Sequence, residues 1–151
     1  MKKPVIALAM GDPAGISPEL TAKVLALKEV REAARIVVVG DRRIYDDGAR
    51  VAGLAASPDE FVDLKHADPA GIRCGVAVKA GGESALANYR HALRMVADGK
   101  ADAVCFTPFN KQAMRMAEPT YDDETARSPT SSPSTARTRP RRSRCTPARR
   151  R

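Results

Sequence analysis

The sequence predicts an α/β fold with a mostly parallel sheet. Short apolar runs, typical of strands buried on both faces, alternate along the chain with segments whose apolar residues recur at helical spacing. Several of these runs end directly at Gly, Asp or Pro, as parallel strands do where they pass into loops. In such folds ligands bind at the carboxyl ends of the strands, so the loops that follow the strands are where a site is expected.

The first strand and the first helix are predicted close together near the start of the chain. The run at 5–10 is apolar throughout and is closed by Gly11, which predicts a buried strand. Ser17 stands where a helix cap is expected, with Pro18 at the first helical position. The apolar stripe predicted for this helix consists of Leu20, Val24 and Leu27.

The later elements are predicted from β-branched runs and from apolar residues three and four positions apart. Strands are expected at 35–40 and 103–106, with weaker candidates at 60–64 and 75–78. Helices are expected at 44–54, 83–98 and 112–117. In this assignment Gly81 and Gly82 belong to a loop before a helix, and Cys105 is a buried strand residue.

The charge is unevenly distributed along the chain. The net charge is +8, but nine of the 26 basic residues are arginines in the segment 125–151, which contains no Lys, Asp or Glu. The other 17 basic residues are balanced by 18 acidic ones. The body of the chain is therefore near neutral, and its charge does not predict a nucleic-acid or membrane-surface partner.

Cysteine usage and the N-terminal residues bear on the cellular compartment. The three cysteines are widely spaced and form no CxxC pair, which argues against a zinc site and favours a reducing compartment. The apolar run after Lys3 is too short for a signal peptide or a membrane span. We therefore expect a soluble, cytoplasmic protein with no membrane partner.

The composition changes sharply after Glu124, which predicts two regions, a folded body at 1–124 and a tail at 125–151. The tail contains no Val, Ile, Leu, Met, Phe or Tyr. Such a segment cannot bury enough apolar surface to offset about 1–2 kcal/mol of backbone ordering per residue, so we expect it to be disordered. It is either a frameshifted sequence or a basic arm for nucleic acid. The lack of aromatic residues for base stacking favours the frameshift.

The segment 11–19 is the strongest local motif, because it joins a predicted strand to a predicted helix. Its glycines, Gly11 and Gly15, allow close backbone approach, and the free amides at a helix N-terminus favour an anion. Asp12 would repel a phosphate, so its expected role is to bond a ligand hydroxyl or to order the loop. We take Asp12, Gly15 and Ser17 as candidates for substrate or cofactor binding. The alternative is a tight connection that needs Gly and Pro only for its geometry.

The segment 107–111 is the second motif, again directly after a predicted strand. Lys111 offers a positive charge to a phosphate or carboxylate, and Thr107 and Asn110 offer hydrogen bonds to hydroxyl groups. The alternative is a solvated lysine beside an asparagine that caps a helix. We take all three as binding candidates.

The segments PVIALAMGDPAGISPEL, RIVVVGD and ADAVCFTPFNKQAMR resemble, in this order and spacing, the 4-hydroxythreonine-4-phosphate dehydrogenase family, usually called PdxA. The resemblance covers about Lys3 to Glu124. Within the family, the chain resembles the branch that acts on threonate or erythronate phosphate. It implies a fold like the isocitrate and isopropylmalate dehydrogenases, a homodimer, and NAD with a divalent metal as cofactors. It also implies oxidation and decarboxylation of a small phosphorylated hydroxy acid, as in pyridoxine biosynthesis.

The resemblance carries over to this chain only at 11–19 and 107–111, where the motifs match. It assigns no catalytic residue and no metal ligand here, because the family's metal-binding histidines have no counterpart in this sequence. We therefore expect a truncated dehydrogenase that is inactive by itself. The alternative is a nucleic-acid-binding protein that uses its basic arm, and nucleic acid is the less expected partner.

Overall fold

The computed structural model describes residues 2–54 and 58–121, which form a four-stranded parallel sheet with helices on both faces. The predicted tail, 125–151, lies outside the described residues. The strands are β1 Val5–Ala9, β2 Arg35–Gly40, β3 Glu60–Asp63 and β4 Ala103–Phe106, in the spatial order β3-β2-β1-β4. The predicted α/β class with a parallel sheet is confirmed.

Five α-helices connect these strands within the described residues. They are α1 Ser17–Ala26, α2 Lys28–Ala33, α3 Arg42–Val51, α4 Lys79–Ala97 and α5 Lys111–Ala117, and a short 3-10 turn spans Pro69–Gly71. The carboxyl end of β1 leads into the loop 11–16, and that of β4 leads into 107–110. Because β1 and β4 are parallel neighbours, these two loops emerge side by side.

The two faces of the sheet bury different layers of the core. Leu8 and Val38 point toward α1 and α3 and pack with residues such as Tyr45. On the opposite face Ala9 and Val39 pack against α4 through residues such as Tyr89. This alternation follows from the two-residue period of a strand. Because both faces of β1 and β2 are buried, successive residues in these strands are apolar.

The predicted apolar stripe of α1 is wrong. The buried residues of this helix are Ser17, Pro18, Thr21, Ala22 and Leu25, whereas Leu27 is 51% exposed. Small residues form the contact because α1 and α3 approach each other closely. A Cβ atom added to Gly48 of α3 would lie 2.5 Å from the backbone carbon of Pro18. The hydrophobic pattern alone carries no information about such a close approach.

The segment 75–78 is a loop and not the predicted strand. Gly75 has φ of +76°, a left-handed conformation that interrupts an extended backbone. Its amide donates to the carbonyl of Ala14 at 2.7 Å, so the segment packs against the loop 11–16.

Helix α4 begins at Lys79, so Gly81 and Gly82 are helical and not part of a loop. Both glycines are buried. A Cβ atom at Gly82 would lie 2.0 Å from the carbonyl oxygen of Ala113, so glycine there allows α4 and α5 to touch backbone to backbone. The prediction failed because glycine is a poor helix former by propensity, and tertiary packing overrides that preference.

Cys105 is exposed, which contradicts the prediction that it is buried. It lies on β4, which pairs only with β1 and is the edge strand of the sheet in the part of the chain that the structure describes. The apolar run correctly predicted a strand, but it could not indicate which strand has the edge position.

Candidate functional site

The two sequence motifs meet at the carboxyl ends of β1 and β4. The amide of Asp12 donates to the carbonyl of Pro108 at 2.9 Å, and the amide of Thr107 donates to the carbonyl of Ala9 at 3.1 Å. A Cβ atom at Gly11 would lie 2.2 Å from the Pro108 carbonyl oxygen. Only glycine allows this approach, so Gly11 is what brings the two loops together.

Two buried hydroxyl groups join the loops at this junction. Ser17 Oγ and Thr107 Oγ1 both accept from the amide of Gly11, at 2.7 and 3.0 Å, and they form a short hydrogen bond with each other. Ser17 is 1% and Thr107 4% exposed. The prediction that Ser17 caps α1 is wrong: Ile16 has the cap position, and the Ser17 side chain turns back to Gly11 because that buried amide needs an acceptor.

Thr21 completes this cluster of buried hydroxyl groups. The Thr21 hydroxyl donates to the carbonyl of Ser17 at 2.8 Å. Between Ser17 and Thr107 one hydroxyl donates to the other, and the accepting hydroxyl keeps its own proton. Thr21 Oγ1 also lies 3.4 Å from Thr107 Oγ1, so the three hydroxyl groups form one buried hydrogen-bonded cluster.

The Asp12 side chain orders the loop 11–16. It is 7% exposed, and its Oδ1 accepts from the amide of Ala14 at 3.0 Å. Its Oδ2 lies 3.4 Å from the position of a Cβ atom on Gly15, and the Gly15 amide closes the turn onto the Asp12 carbonyl. The carboxylate therefore sits next to the exposed Gly15 and disfavours an anion directly over the loop.

Asn110 and Lys111 lie at the start of α5. Asn110 Oδ1 accepts from the amides of Gln112 and Ala113 at 3.1 and 3.2 Å, so this residue is the helix cap that the sequence left as an alternative. The amide nitrogen of Asn110 is not used by these capping bonds. Lys111 is exposed.

Asn88 is a residue of this junction that the sequence analysis missed. It lies on α4, is 2% exposed, and its Nδ2 donates to the carbonyl of Met10 at 2.9 Å. Its Oδ1 has no hydrogen-bond partner among the described residues. The sequence did carry a signal, since Asn88 falls on the same helix face as the buried Ala85 and Ala92, where an apolar residue is expected.

Asp41 follows β2 at the same edge of the sheet and was also missed. Its side chain accepts from the amide of Arg43, which makes it the cap of α3, and it forms two hydrogen bonds with the Arg43 guanidinium at 3.0 and 2.7 Å. The Arg43 side chain lowers the pKa of this buried carboxyl, an effect that burial partly opposes. The Asp41 carboxylate thus forms a structural ion pair with Arg43.

The described residues do not fit a metal ion. No group of three or more His, Cys, Asp or Glu side chains that could hold one occurs within residues 2–54 and 58–121. His66 Nε2 is 3.3 Å from the carbonyl of Ser84, away from the two motifs. We therefore assign no metal ligand among these residues. Nor does any helix among these residues have the length and apolar character needed to cross a membrane.

Comparisons with known proteins agree on one family. The sequence model of the family described as pyridoxal phosphate biosynthetic protein PdxA matches residues 28–131. The chain is 59% identical over 138 residues to "Putative 4-hydroxythreonine-4-phosphate dehydrogenase 2" of Rhizobium meliloti, covering 82% of this chain and 40% of the relative. It is 33% identical over 135 residues to "Putative D-threonate 4-phosphate dehydrogenase" of Halalkalibacterium halodurans, covering 80% of this chain and 40% of the relative.

A solved structure supports the same relationship. The crystal structure of a 4-hydroxythreonine-4-phosphate dehydrogenase from Burkholderia phymatum superposes with a TM-score of 0.73 at 26% identity. The match covers 78% of this chain and 40% of that protein. The chain thus spans about 40% of the length of the relatives that it matches.

Proposed function

The chain belongs to the PdxA family, and we propose that it carries part of the substrate site of an NAD-dependent dehydrogenase. In this proposal the whole enzyme oxidises and decarboxylates a four-carbon hydroxy-acid phosphate, either 4-phosphohydroxy-L-threonine or threonate or erythronate 4-phosphate. The observation that carries the proposal is the Ser17–Thr107 hydroxyl pair, which unites the two motifs at the carboxyl edge of the sheet. Ligands of parallel α/β folds bind at this edge.

The groups at the junction suit the two ends of such a substrate. Lys111 supplies a positive charge for the phosphate, and the Nδ2 group of Asn110 supplies a neutral donor beside it. The Ser17–Thr107 pair holds together the two loops that carry these groups. Asp12 suits a substrate hydroxyl and not the phosphate, because its carboxylate can only accept hydrogen bonds.

The cofactors of the family enter this proposal to different degrees. NAD, when bound, accepts a hydride from the alcohol carbon of the substrate. The Asp12 carboxylate beneath Gly15 is unfavourable for a diphosphate on the loop 11–16, so we assign no described residue to the NAD diphosphate. Residues for the metal are not assigned either. Homodimer formation and a cytoplasmic location remain predictions.

We further propose that residues 1–124 are one part of the dehydrogenase fold and that this chain by itself binds substrate without turning it over. The described residues contribute candidate phosphate and hydroxyl contacts but no set of metal ligands. The arginines behind the nucleic-acid alternative lie in 125–151, outside the described residues, and no finding among the described residues supports that alternative.

Calorimetric titration of the purified chain with D-threonate 4-phosphate and with unphosphorylated D-threonate tests the proposal. The phosphorylated ligand is expected to bind more tightly, and Lys111→Gln is expected to weaken it about tenfold or more, since hydrogen bonds to charged groups contribute about 1.5–3 kcal/mol. Lys100→Gln is the matched control, because Lys100 is an exposed lysine in the turn before β4, where it pairs with Asp98. Equal binding of the two ligands, or equal effects of the two substitutions, would contradict the proposal.

Production of NADH in the same samples tests the second part. With D-threonate 4-phosphate, NAD and added Mg²⁺, no NADH above the rate of a blank without protein is expected. Sustained NADH formation by the 151-residue chain would show that its residues suffice for catalysis.

A further inference from the structure

The peptide group between Met10 and Gly11 is held from both sides by side chains that are distant in sequence. On one side its carbonyl accepts from Asn88 Nδ2 at 2.9 Å. On the other its N–H is shared by the hydroxyl groups of Ser17 and Thr107. A peptide group is planar, so fixing its oxygen also fixes the direction of its N–H. The orientation of the hydroxyl pair therefore depends on Asn88.

The orientation of the Asn88 amide follows from its single hydrogen bond. Only the NH₂ end can face the Met10 carbonyl, because the opposite orientation would bring two acceptor oxygens together. The Oδ1 end is then buried without a donor among the described residues. An unsatisfied buried acceptor costs free energy that largely cancels the gain from one neutral hydrogen bond. An amide here does little for overall stability, so stability is a poor explanation for its presence.

We propose that Asn88 is a positioning residue of the substrate site. It acts through the Met10–Gly11 peptide: Nδ2 sets the direction of the Gly11 N–H, and this in turn sets the orientation of the Ser17–Thr107 pair, which joins the two loops of the site. The Asn88 side chain does not need to touch the ligand for this role.

The surroundings of the peptide explain why a positioning residue is needed there. Gly11 leads β1 into the loop and has no side chain of its own to hold it. The next amide, that of Asp12, bonds to the Pro108 carbonyl. A rotation of the Met10–Gly11 peptide would therefore disturb both loops of the site. Helix α4 is the element that can hold this peptide from the other side.

The first test needs no ligand and measures hydrogen exchange at the Gly11 amide by NMR. In Asn88→Leu, which has a similar volume but no donor, this amide is expected to exchange about tenfold faster relative to that of Val38 in β2. Normalisation to Val38 removes any change in global stability. Ser84→Ala is the matched control, because Ser84 is also buried on α4, and this substitution is expected to leave the ratio unchanged.

The second test uses a variant whose donor can be switched on by pH. In Asn88→Asp the protonated carboxyl can donate to the Met10 carbonyl and so reproduce the amide, whereas the carboxylate presents only acceptors. Burial raises a carboxyl pKa above its ordinary value of about 3.9. Relative to the wild type, protection of the Gly11 amide is expected to be low near neutral pH and to recover as pH falls through that raised pKa.

Three outcomes would overturn the proposal. One is an unchanged Gly11 to Val38 ratio in Asn88→Leu, and another is an equal change in Ser84→Ala. The third is an Asn88→Asp variant whose Gly11 amide stays unprotected at low pH while its Val38 amide recovers, since burial of charge alone would then explain the variant.

One consequence of the inference rests on the proposed function: Asn88→Leu is also expected to weaken binding of D-threonate 4-phosphate about tenfold. If the exchange results are as expected but the wild type binds no D-threonate 4-phosphate, the proposed function fails and the positioning of the peptide stands. If the wild type binds this ligand and Asn88→Leu binds it equally well, the positioning role fails.

Discussion

Ser17 and Thr107 lie 90 residues apart in the sequence, and their hydroxyl groups bond to each other and to the same backbone amide, that of Gly11. This contact joins the loop after β1 to the loop after β4, which are the two places where the sequence predicted a site. It is also buried, so each hydroxyl has a structural task whether or not a ligand is present.

Because they share one amide, the two hydroxyls are expected to act as a unit. Ser17→Ala and Thr107→Val should each lower the free energy of unfolding by about 1–2 kcal/mol, since the Gly11 amide keeps one acceptor in either variant. The double variant should depart from the sum of the two, because it leaves the amide buried without any acceptor, whereas each single variant already loses the bond between the hydroxyls. Urea denaturation of the four proteins measures this. Strict additivity would show that the hydroxyls act independently.

The two adjacent glycines of α4 are expected to respond in opposite directions to the same substitution. Gly82→Ala should destabilise the protein by about 1–3 kcal/mol, because its new Cβ would collide with the Ala113 carbonyl oxygen of α5. Gly81→Ala meets its nearest atom at 3.4 Å and should be neutral or stabilising by up to about 1 kcal/mol through helix propensity. Thermal unfolding of both variants checks the prediction. Equal effects would mean that α4 and α5 are not in backbone contact.

Two substitutions at Asn110 separate its capping role from its binding role. Asn110→Ala should destabilise the protein by about 0.5–2 kcal/mol, because the first amides of α5 lose their acceptor. Asn110→Asp should keep the cap and the stability, since aspartate caps helices about as well. It should nevertheless weaken binding of D-threonate 4-phosphate, because it removes the amide donor and adds a negative charge near the phosphate. Unchanged affinity in Asn110→Asp would leave Asn110 with a capping role only.

The ion pair of Asp41 and Arg43 predicts a stability that depends on pH at the acid end. The folded-state pKa of Asp41 is lowered from 3.8, so its contribution is fully present above that value and is lost as pH falls through the lowered pKa. Asp41→Asn keeps a capping oxygen and should be about 1 kcal/mol less stable near neutral pH. The gap between the two proteins should close in strong acid, as followed by urea denaturation. A gap independent of pH would rule out the ionised carboxylate as its source.

The resemblance in sequence and the geometry of the site support different parts of the conclusion. The family is shown by the match of its sequence model over residues 28–131. The binding roles of Lys111 and Asn110 are proposals from geometry, and the titrations above test them without reference to the relatives.

The sequence by itself determined the class of the fold, the strands β1, β2 and β4 and the location of the two motifs, whereas of its two weaker strand candidates 60–64 contains β3 and 75–78 is a loop. These follow from local patterns: continuous apolar runs give β1 and β2, and the residues at their ends are those that turns and helix starts require. The cap at Asn110 was one of two interpretations that its residue type and position allowed, and the structure shows that this residue does cap α5. The family resemblance was likewise contained in short contiguous segments.

Only the tertiary structure decided how residues distant in sequence share one environment. The turn of Ser17 from its expected cap to Gly11, the backbone contact at Gly82 and the exposure of Cys105 each depend on which elements become neighbours. So does the role of Asn88, whose partner Met10 lies 78 residues away. A local pattern reports the period of an element and not its neighbours, and hydrogen bonds of buried groups are set by those neighbours.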